Sequence, residues 1–176
     1  MNTPARSSDS AMATPGRYLT FSLGRESYGL PVRDVREIIR LCPITPAPRM
    51  PPHVRGVINL RGSVIAVIDL RAKFELAPVD YGDRACIIVV QVLNPAGMGT
   101  RVGALVDTVE EVIQLTAEMI EPAPYFGGEP DMQFIQGVAT VQGTVRTLLD
   151  IGQVFLEEGT ITLPSAVESE EARISQ

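Results

Sequence analysis

Tryptophan is absent from the sequence, and five Phe and four Tyr are all the aromatics that its 176 residues carry. Modules that grip proline-rich peptides need clustered aromatic rings, so a generic peptide binder of that kind is disfavoured. The single histidine, His53, has no second histidine to complete a metal-ligand spacing, and no Ser-His-Asp set can be assembled around it. Cys42 and Cys86 lie far apart, in or beside the apolar runs IIRLC and CIIVV, and read as buried free thiols. Neither GxxxxGKS/T nor GxGxxG occurs, and GMGTRVG (97–103) lacks both the lysine and the following helix of a phosphate loop. Glu110 and Glu111 are adjacent, so on a strand they point to opposite faces and cannot work as a paired acid and base. These absences predict no catalytic residue, no metal and no cofactor. The chain is expected not to be an enzyme.

Long hydrophobic runs are also missing. The longest, Cys86 to Val90 with Val92 and Leu93 beyond Gln91, is far too short to span a bilayer, and the first sixteen residues hold no apolar segment of the secretory type. A cytoplasmic protein without direct membrane insertion is expected. The net charge of −6 divides unevenly. Residues 1–87 carry twelve Lys and Arg against eight Asp and Glu, whereas residues 88–176 carry three against thirteen, partly in the tail at Glu168, Glu170 and Glu171. Such a balance disfavours nucleic acid as a partner and suits a protein that presents different surfaces to different neighbours.

Fourteen Pro and fifteen Gly point to many turns and short strands. Residues 1–16 and 164–176 show no periodicity and are expected to be disordered tails around a domain at 17–163. RYLTFSLG (17–24) alternates, with Leu19, Phe21 and Leu23 on one face and Tyr18, Thr20 and Ser22 on the other, which predicts a half-buried strand. Beyond it the chain repeats itself. YGLPVRDVREIIRL (28–41) matches VGALVDTVEEVIQL (102–115) at an offset of 74, PAP at 46–48 matches PAP at 122–124 at 76, and GVINLRGSVIAVIDLRAKF (56–74) matches GVATVQGTVRTLLDIGQVF (137–155) at 81. Three blocks in the same order indicate an internal duplication. Two β-rich copies this short predict two small barrels packed as a pseudo-symmetric pair, one over roughly 25–80 and one over roughly 85–158, with the N-terminal strand shared.

Within each copy the dipeptide at 61–62 or 142–143 reads as a hairpin turn, because glycine accepts the positive φ of a tight reversal. Asp69 and Asp150 read as N-caps of short helices whose Phe74 and Phe155 pack down. The copies differ at two telling places: Arg61 faces Gln142, and Ile65 faces Arg146. An isoleucine near a guanidinium at a hairpin tip is a candidate recognition patch, the apolar group giving area and the arginine orientation. The plainer alternative buries Ile65 between the barrels and leaves Arg61 solvated.

The ordered segments FSLGRESYGLPVRDVREI, PPHVRGVINLRGSVIAVIDLRAKF, VGALVDTVEEVIQL and IEPAPYF together resemble the CheW family of bacterial chemotaxis coupling proteins over residues 17–158, apart from Ala66, where the family usually has proline. The resemblance implies a mainly β fold of two intertwined SH3-like five-stranded barrels with short helices. It implies a non-enzymatic adaptor that joins the cytoplasmic tip of methyl-accepting chemoreceptors to the regulatory domain of the histidine kinase CheA. By position, Glu37, Gly56, Val57, Arg61 and Gly62, with Ile65 of the hairpin patch, are expected to serve the receptor. Leu19, Val32 and Val35 are expected to serve the kinase. A scaffold of the same fold in a non-flagellar chemosensory pathway is the alternative.

Overall fold

The computed structural model describes residues 13–93, 97–122 and 134–156. The chain opens with the hairpin β1 (Gly16–Leu23) and β2 (Glu26–Pro31), then passes through a one-turn 3₁₀ segment, Val32–Asp34, into β3 (Val35–Arg40). The hairpin β4 (Val54–Leu60) and β5 (Ser63–Asp69) follows, and then helix α1 (Leu70–Lys73). The same order returns as β6 (Cys86–Leu93), β7 (Gly99–Val106), β8 (Thr108–Leu115), the two-residue β9 (Ile120–Glu121), β10 (Ile135–Val141), β11 (Thr144–Leu149) and helix α2 (Ile151–Leu156).

Two sheets result, β3-β6-β7-β5-β4 and β8-β1-β2-β11-β10-β9. The first is the expected five-stranded barrel; the second gains β9, whose counterpart in the first is the isolated bridge between Thr45 and Val57. Pairing is antiparallel except in two ladders, β11 with β2 and β5 with β7. Those two ladders correct the expected boundaries. Each copy lends its first two strands, β1 and β2 or β6 and β7, to the sheet of the other, so one barrel spans 35–106 while the other combines 16–31 with 108–149. The N-terminal strand is not shared; β1 lies wholly in the six-stranded sheet, between β8 and β2.

Glycine marks the lent strands. A Cβ at Gly29 of β2 would lie 3.0 Å from Leu148 Cδ2, and one at Gly103 of β7 would lie 2.7 Å from Ile87 Cγ2. A bare backbone lets the neighbouring side chain close over each exchanged strand.

Three apolar clusters hold the molecule. One lies inside the five-stranded barrel (Ile58, Ile65, Val67, Ile87, Val89, Leu105), and a smaller one lies inside the six-stranded barrel (Ala13, Tyr18, Leu115, Ala139, Leu148). The largest sits between the sheets, where Leu19, Phe21 and Leu30 meet Ile68, Ile88 and Val90. Strand β1 is therefore covered on both sides, and Tyr18 and Thr20 are as buried as Leu19 and Phe21, contrary to a half-solvated strand. An aromatic row, Phe21–Tyr28–Phe74–Phe134, runs along the junction with ring centroids 5.6, 5.6 and 4.9 Å apart.

The cap expectations hold. Asp69 Oδ1 accepts the Arg71 and Ala72 N–H groups, Asp150 Oδ1 accepts that of Gln153, and Phe155 is buried in the central cluster against which Phe74 packs. The expected N-terminal disorder is corrected at 13–16: Ala13 N–H donates to Gln136 O and Tyr18 O–H donates to Thr14 O. Residues 1–12 and 164–176 of the expected tails lie outside the described residues, as do Ala123 and Pro124 of the second PAP.

Candidate protein interaction surface

The hairpin β4–β5 closes in two residues, Leu60 pairing with Ser63 across Arg61 and Gly62. Both loop residues have positive φ, 51° and 89°, as the right-handed twist of the flanking strands demands. The Gly62 N–H donates to Asn59 Oδ1 at 3.0 Å. For an arginine this left-handed conformation costs on the order of 1 kcal/mol, because Cβ crowds its own carbonyl. Its side chain is 66% exposed and pairs with the Glu37 carboxylate, which is 26% exposed. A surface pair contributes about 0.2–1 kcal/mol, no more than the strain it accompanies. Stability therefore does not explain the arginine.

Glu37 is presented by an irregularity in β3. The register with β6 shifts between Val35 and Glu37, so Arg36 is an extra residue and donates its Nε–H to Gln91 Oε1. Gly56 shapes the same barrel from the other side. It has φ +144°, and a Cβ there would lie 2.0 Å from Thr45 O. The Val57 backbone pairs in both directions with Thr45, while its side chain is half-buried. Glu37, Arg61, Gly62 and Val57 can thus meet a partner, and Gly56 holds their frame. Ile65 corrects the recognition patch: it is 1% exposed, inside the five-stranded barrel rather than beside Arg61. Its side chain alternates inward with Val67, so no surface is left to it. Leu19 is corrected likewise, since at 4% exposure it belongs to the central cluster. Val32 and Val35 are half-buried against that cluster and keep an exposed side.

The second copy treats the equivalent position differently. Gln142 and Gly143 repeat the positive φ values, at 52° and 81°, but the cation comes from within the barrel. Arg146, at the position of Ile65, reaches Glu111 Oε2 with Nη2 at 3.5 Å and stands 3.9 Å from Glu110 Oε1 with Nε. Both glutamates face one arginine because a bulge opposite Thr20 and Phe21 undoes the strand alternation expected of them. Thr20 holds that bulge, its hydroxyl donating to Glu111 O at 2.8 Å and accepting Glu111 N–H at 3.1 Å.

Sequence reasoning missed a third charged group. Arg71, 11% exposed on α1, donates Nε–H and an Nη2 hydrogen to the two Asp107 oxygens at 2.8 and 2.7 Å, and an Nη1 hydrogen to Ala77 O at 2.6 Å. Asp107 is the bend where the chain returns from one sheet to the other, and it also accepts the Gly24 N–H at 2.7 Å. Burial pushes the Asp107 carboxyl up, but the hydrogen bonds from Arg71 and Gly24 outweigh this and hold it below the ordinary carboxylate value. Beside it, burial and the hydrogen bond to Asp69 push the Tyr81 hydroxyl well above its usual range. This clamp ties the barrels together. The signal was present in DLRAKF, where an arginine follows a cap by two residues, but its partner lies 36 residues further on.

Among the described residues no group of His, Cys, Asp and Glu is arranged to hold a metal ion, and no helix is long and apolar enough to cross a membrane. Two barrels with interiors filled by side chains, and polar pairs on the rims, define a scaffold module. The CheW-like domain family model matches residues 17–158. A probable chemotaxis protein CheW of Rhizobium etli is 34% identical over 139 residues, covering 79% of this chain and 86% of that protein. The chemotaxis protein CheW of Klebsiella aerogenes is 33% identical, covering 86% and 89%. The crystal structure of the scaffolding protein TtCheW from Thermoanaerobacter tengcongensis superposes with a TM-score of 0.74 at 33% identity, covering 85% of this chain and 99% of that one. The chain belongs to the CheW family and is a chemotaxis coupling adaptor.

Proposed function

We propose that the chain couples the cytoplasmic tips of methyl-accepting chemoreceptors to the regulatory domain of the histidine kinase CheA, without a catalytic step of its own, in the cytoplasm beneath receptor arrays. The receptor docks on the rim formed by Arg61, Gly62, Glu37 and Val57, with Gly56 and Ile65 holding that rim from behind. The kinase docks where Val32 and Val35 reach the surface, backed by Leu19. Ligand and methylation state then bias the kinase through these contacts, each of which need be only micromolar because an array multiplies weak links. The observation that carries the reading is Arg61 held in a left-handed conformation at an exposed hairpin tip, where neither packing nor its ion pair accounts for it. A guanidinium so placed offers planar hydrogen bonding to a helical receptor hairpin.

Calorimetric titration of the full chain against a receptor-tip fragment and the kinase regulatory domain tests this. Binding to both is expected, with Arg61→Ala weakening the receptor at least tenfold, about 1.4 kcal/mol, and leaving the kinase unchanged. No binding by the wild type to either fragment overturns the assignment. Likeness to the protein FrzA of Myxococcus xanthus, 29% identical over 145 residues, favours a second reading in which the pathway served is not flagellar. Binding to receptors of such a pathway in preference to flagellar ones would select it.

A further inference from the structure

Two residues beyond Val35, an unbroken strand would return Glu37 to the face that Val35 occupies. Val35 is paired with Val90, and both belong to the packing of the central cluster. Glu37 is instead paired with Val89, a member of the cluster inside the five-stranded barrel, against which Ile39 also packs. The extra residue Arg36 moves Glu37 from the first face to the second, where Arg61 stands. Without the bulge the carboxylate would turn away from the guanidinium.

Each copy tethers the residue that its bulge adds. In β8 that residue is Glu110, since Val109 is paired with Phe21 and Glu111 with Thr20. Glu110 Oε1 accepts the Ser27 hydroxyl at 2.8 Å, and Thr20 clasps the Glu111 backbone from the neighbouring strand. In β3 the residue in the place of Thr20 is Val89, which has no hydroxyl. The tether there is Gln91, two residues further along β6, whose Oε1 accepts the Arg36 Nε–H at 2.7 Å. Gly99 of β7 makes room for it: a Cβ on that residue would overlap Gln91 Nε2, so the amide lies over bare backbone.

We infer that Gln91 is a positioning residue for the receptor rim, given that Arg61 and Glu37 serve the receptor. By holding Arg36 in the bulge, its side-chain carbonyl fixes the direction in which the next residue, Glu37, presents its carboxylate to Arg61. The Arg61 fork is then set before the receptor arrives, and less ordering is left for binding to impose. Gln91 acts through Arg36 and Glu37, from a strand that carries none of the rim residues.

The test joins nuclear magnetic resonance of the free, isotopically labelled full chain to calorimetric titration with a receptor-tip fragment. Gln91→Met keeps the length of the side chain and removes the acceptor. It is expected to shift the Arg61 Nε–H resonance in the free chain and to weaken the fragment about fivefold, as one lost hydrogen bond does. Tm should move by less than about 2 °C, and affinity for the kinase regulatory domain should hold. Gln91→Glu keeps an acceptor for Arg36 and should match the wild type in both the resonance and the affinity. Gly99→Ala displaces the amide without altering it and should reproduce the Gln91→Met loss. With Glu37→Ala already in place, Gln91→Met should cost no further affinity. An Arg61 resonance that Gln91→Met leaves in place overturns the role, and so does a loss that adds in full to that of Glu37→Ala. A Gln91→Glu chain that binds no better than Gln91→Met overturns it as well. A wild type that binds no fragment removes the receptor reading alone, because the resonance in the free chain still decides whether Gln91 directs Glu37 to Arg61.

Discussion

Arg71→Ala removes the one guanidinium that joins α1 to the bend at Asp107. The loss comprises two hydrogen bonds to the carboxylate and one to Ala77 O, and it leaves Asp107 with the Gly24 N–H as its remaining hydrogen bond. Breaking a fully buried pair costs about 3–5 kcal/mol. Here the partners are 11% and 22% exposed, so water offsets part of that and the cost should be about 2–3 kcal/mol. For a chain of this size each kcal/mol moves Tm by about 2–4 °C, so a drop of about 4–12 °C is expected in differential scanning calorimetry at pH 7. Asp107→Asn retains an acceptor for Gly24 and should cost less. The double variant should show a coupling energy of about 1–2 kcal/mol between the two positions. Unfolding should stay a single transition, because the central cluster joins the sheets independently of the clamp. A drop under 2 °C, or a coupling energy of zero, would mean that the pair is solvated in solution and that the barrels are held by packing alone.

Arg61→Gly relieves a left-handed arginine but loses a surface pair and gains unfolded-state entropy, each worth about 1 kcal/mol or less; Tm should therefore move by under about 3 °C while receptor affinity falls. A larger loss of stability would make Arg61 a structural residue. Gly56→Ala drives a Cβ to 2.0 Å from Thr45 O and should cost at least about 3 kcal/mol in urea unfolding, whereas Gly62→Ala, with open space around its Cβ, pays the φ strain of about 1–2 kcal/mol alone. Equal costs would show that the segment around Thr45 yields freely. The raised Asp34 carboxyl makes ionisation unfavourable in the folded state, a penalty absent below the ordinary value of 3.8 and growing as pH rises above it. Asp34→Asn should therefore raise Tm at pH 7 and lose that advantage as pH falls toward 4; stabilisation that persists at pH 4 would place its origin elsewhere.

Much of this was readable in the chain because it is local. The turns at Arg61-Gly62 and Gln142-Gly143, the capping aspartates and the alternation of β4 and β5 each follow from residues within a few positions of one another. The duplication was legible as well, and it located the places where the copies part. What those differences mean was not legible. Ile65 against Arg146 looked like a difference of surface, yet both positions are buried, one in an apolar cluster and one with its guanidinium beside Glu110 and Glu111. A strand pattern states which residues share a face but not what covers that face.

By itself, the sequence determined a β-rich pair of copies with these turns and caps, and a family whose residues run from 17 to 158. It took long-range contacts to settle that each copy lends its first two strands to the other, that β1 is buried on both faces, and that Arg71 finds Asp107 across the barrel junction. The physical reason is one of range. Backbone propensity, capping and turn geometry act over a few residues, whereas the partner of a strand or of a buried charge is chosen by which arrangement covers the most apolar surface and leaves the fewest polar groups unpaired.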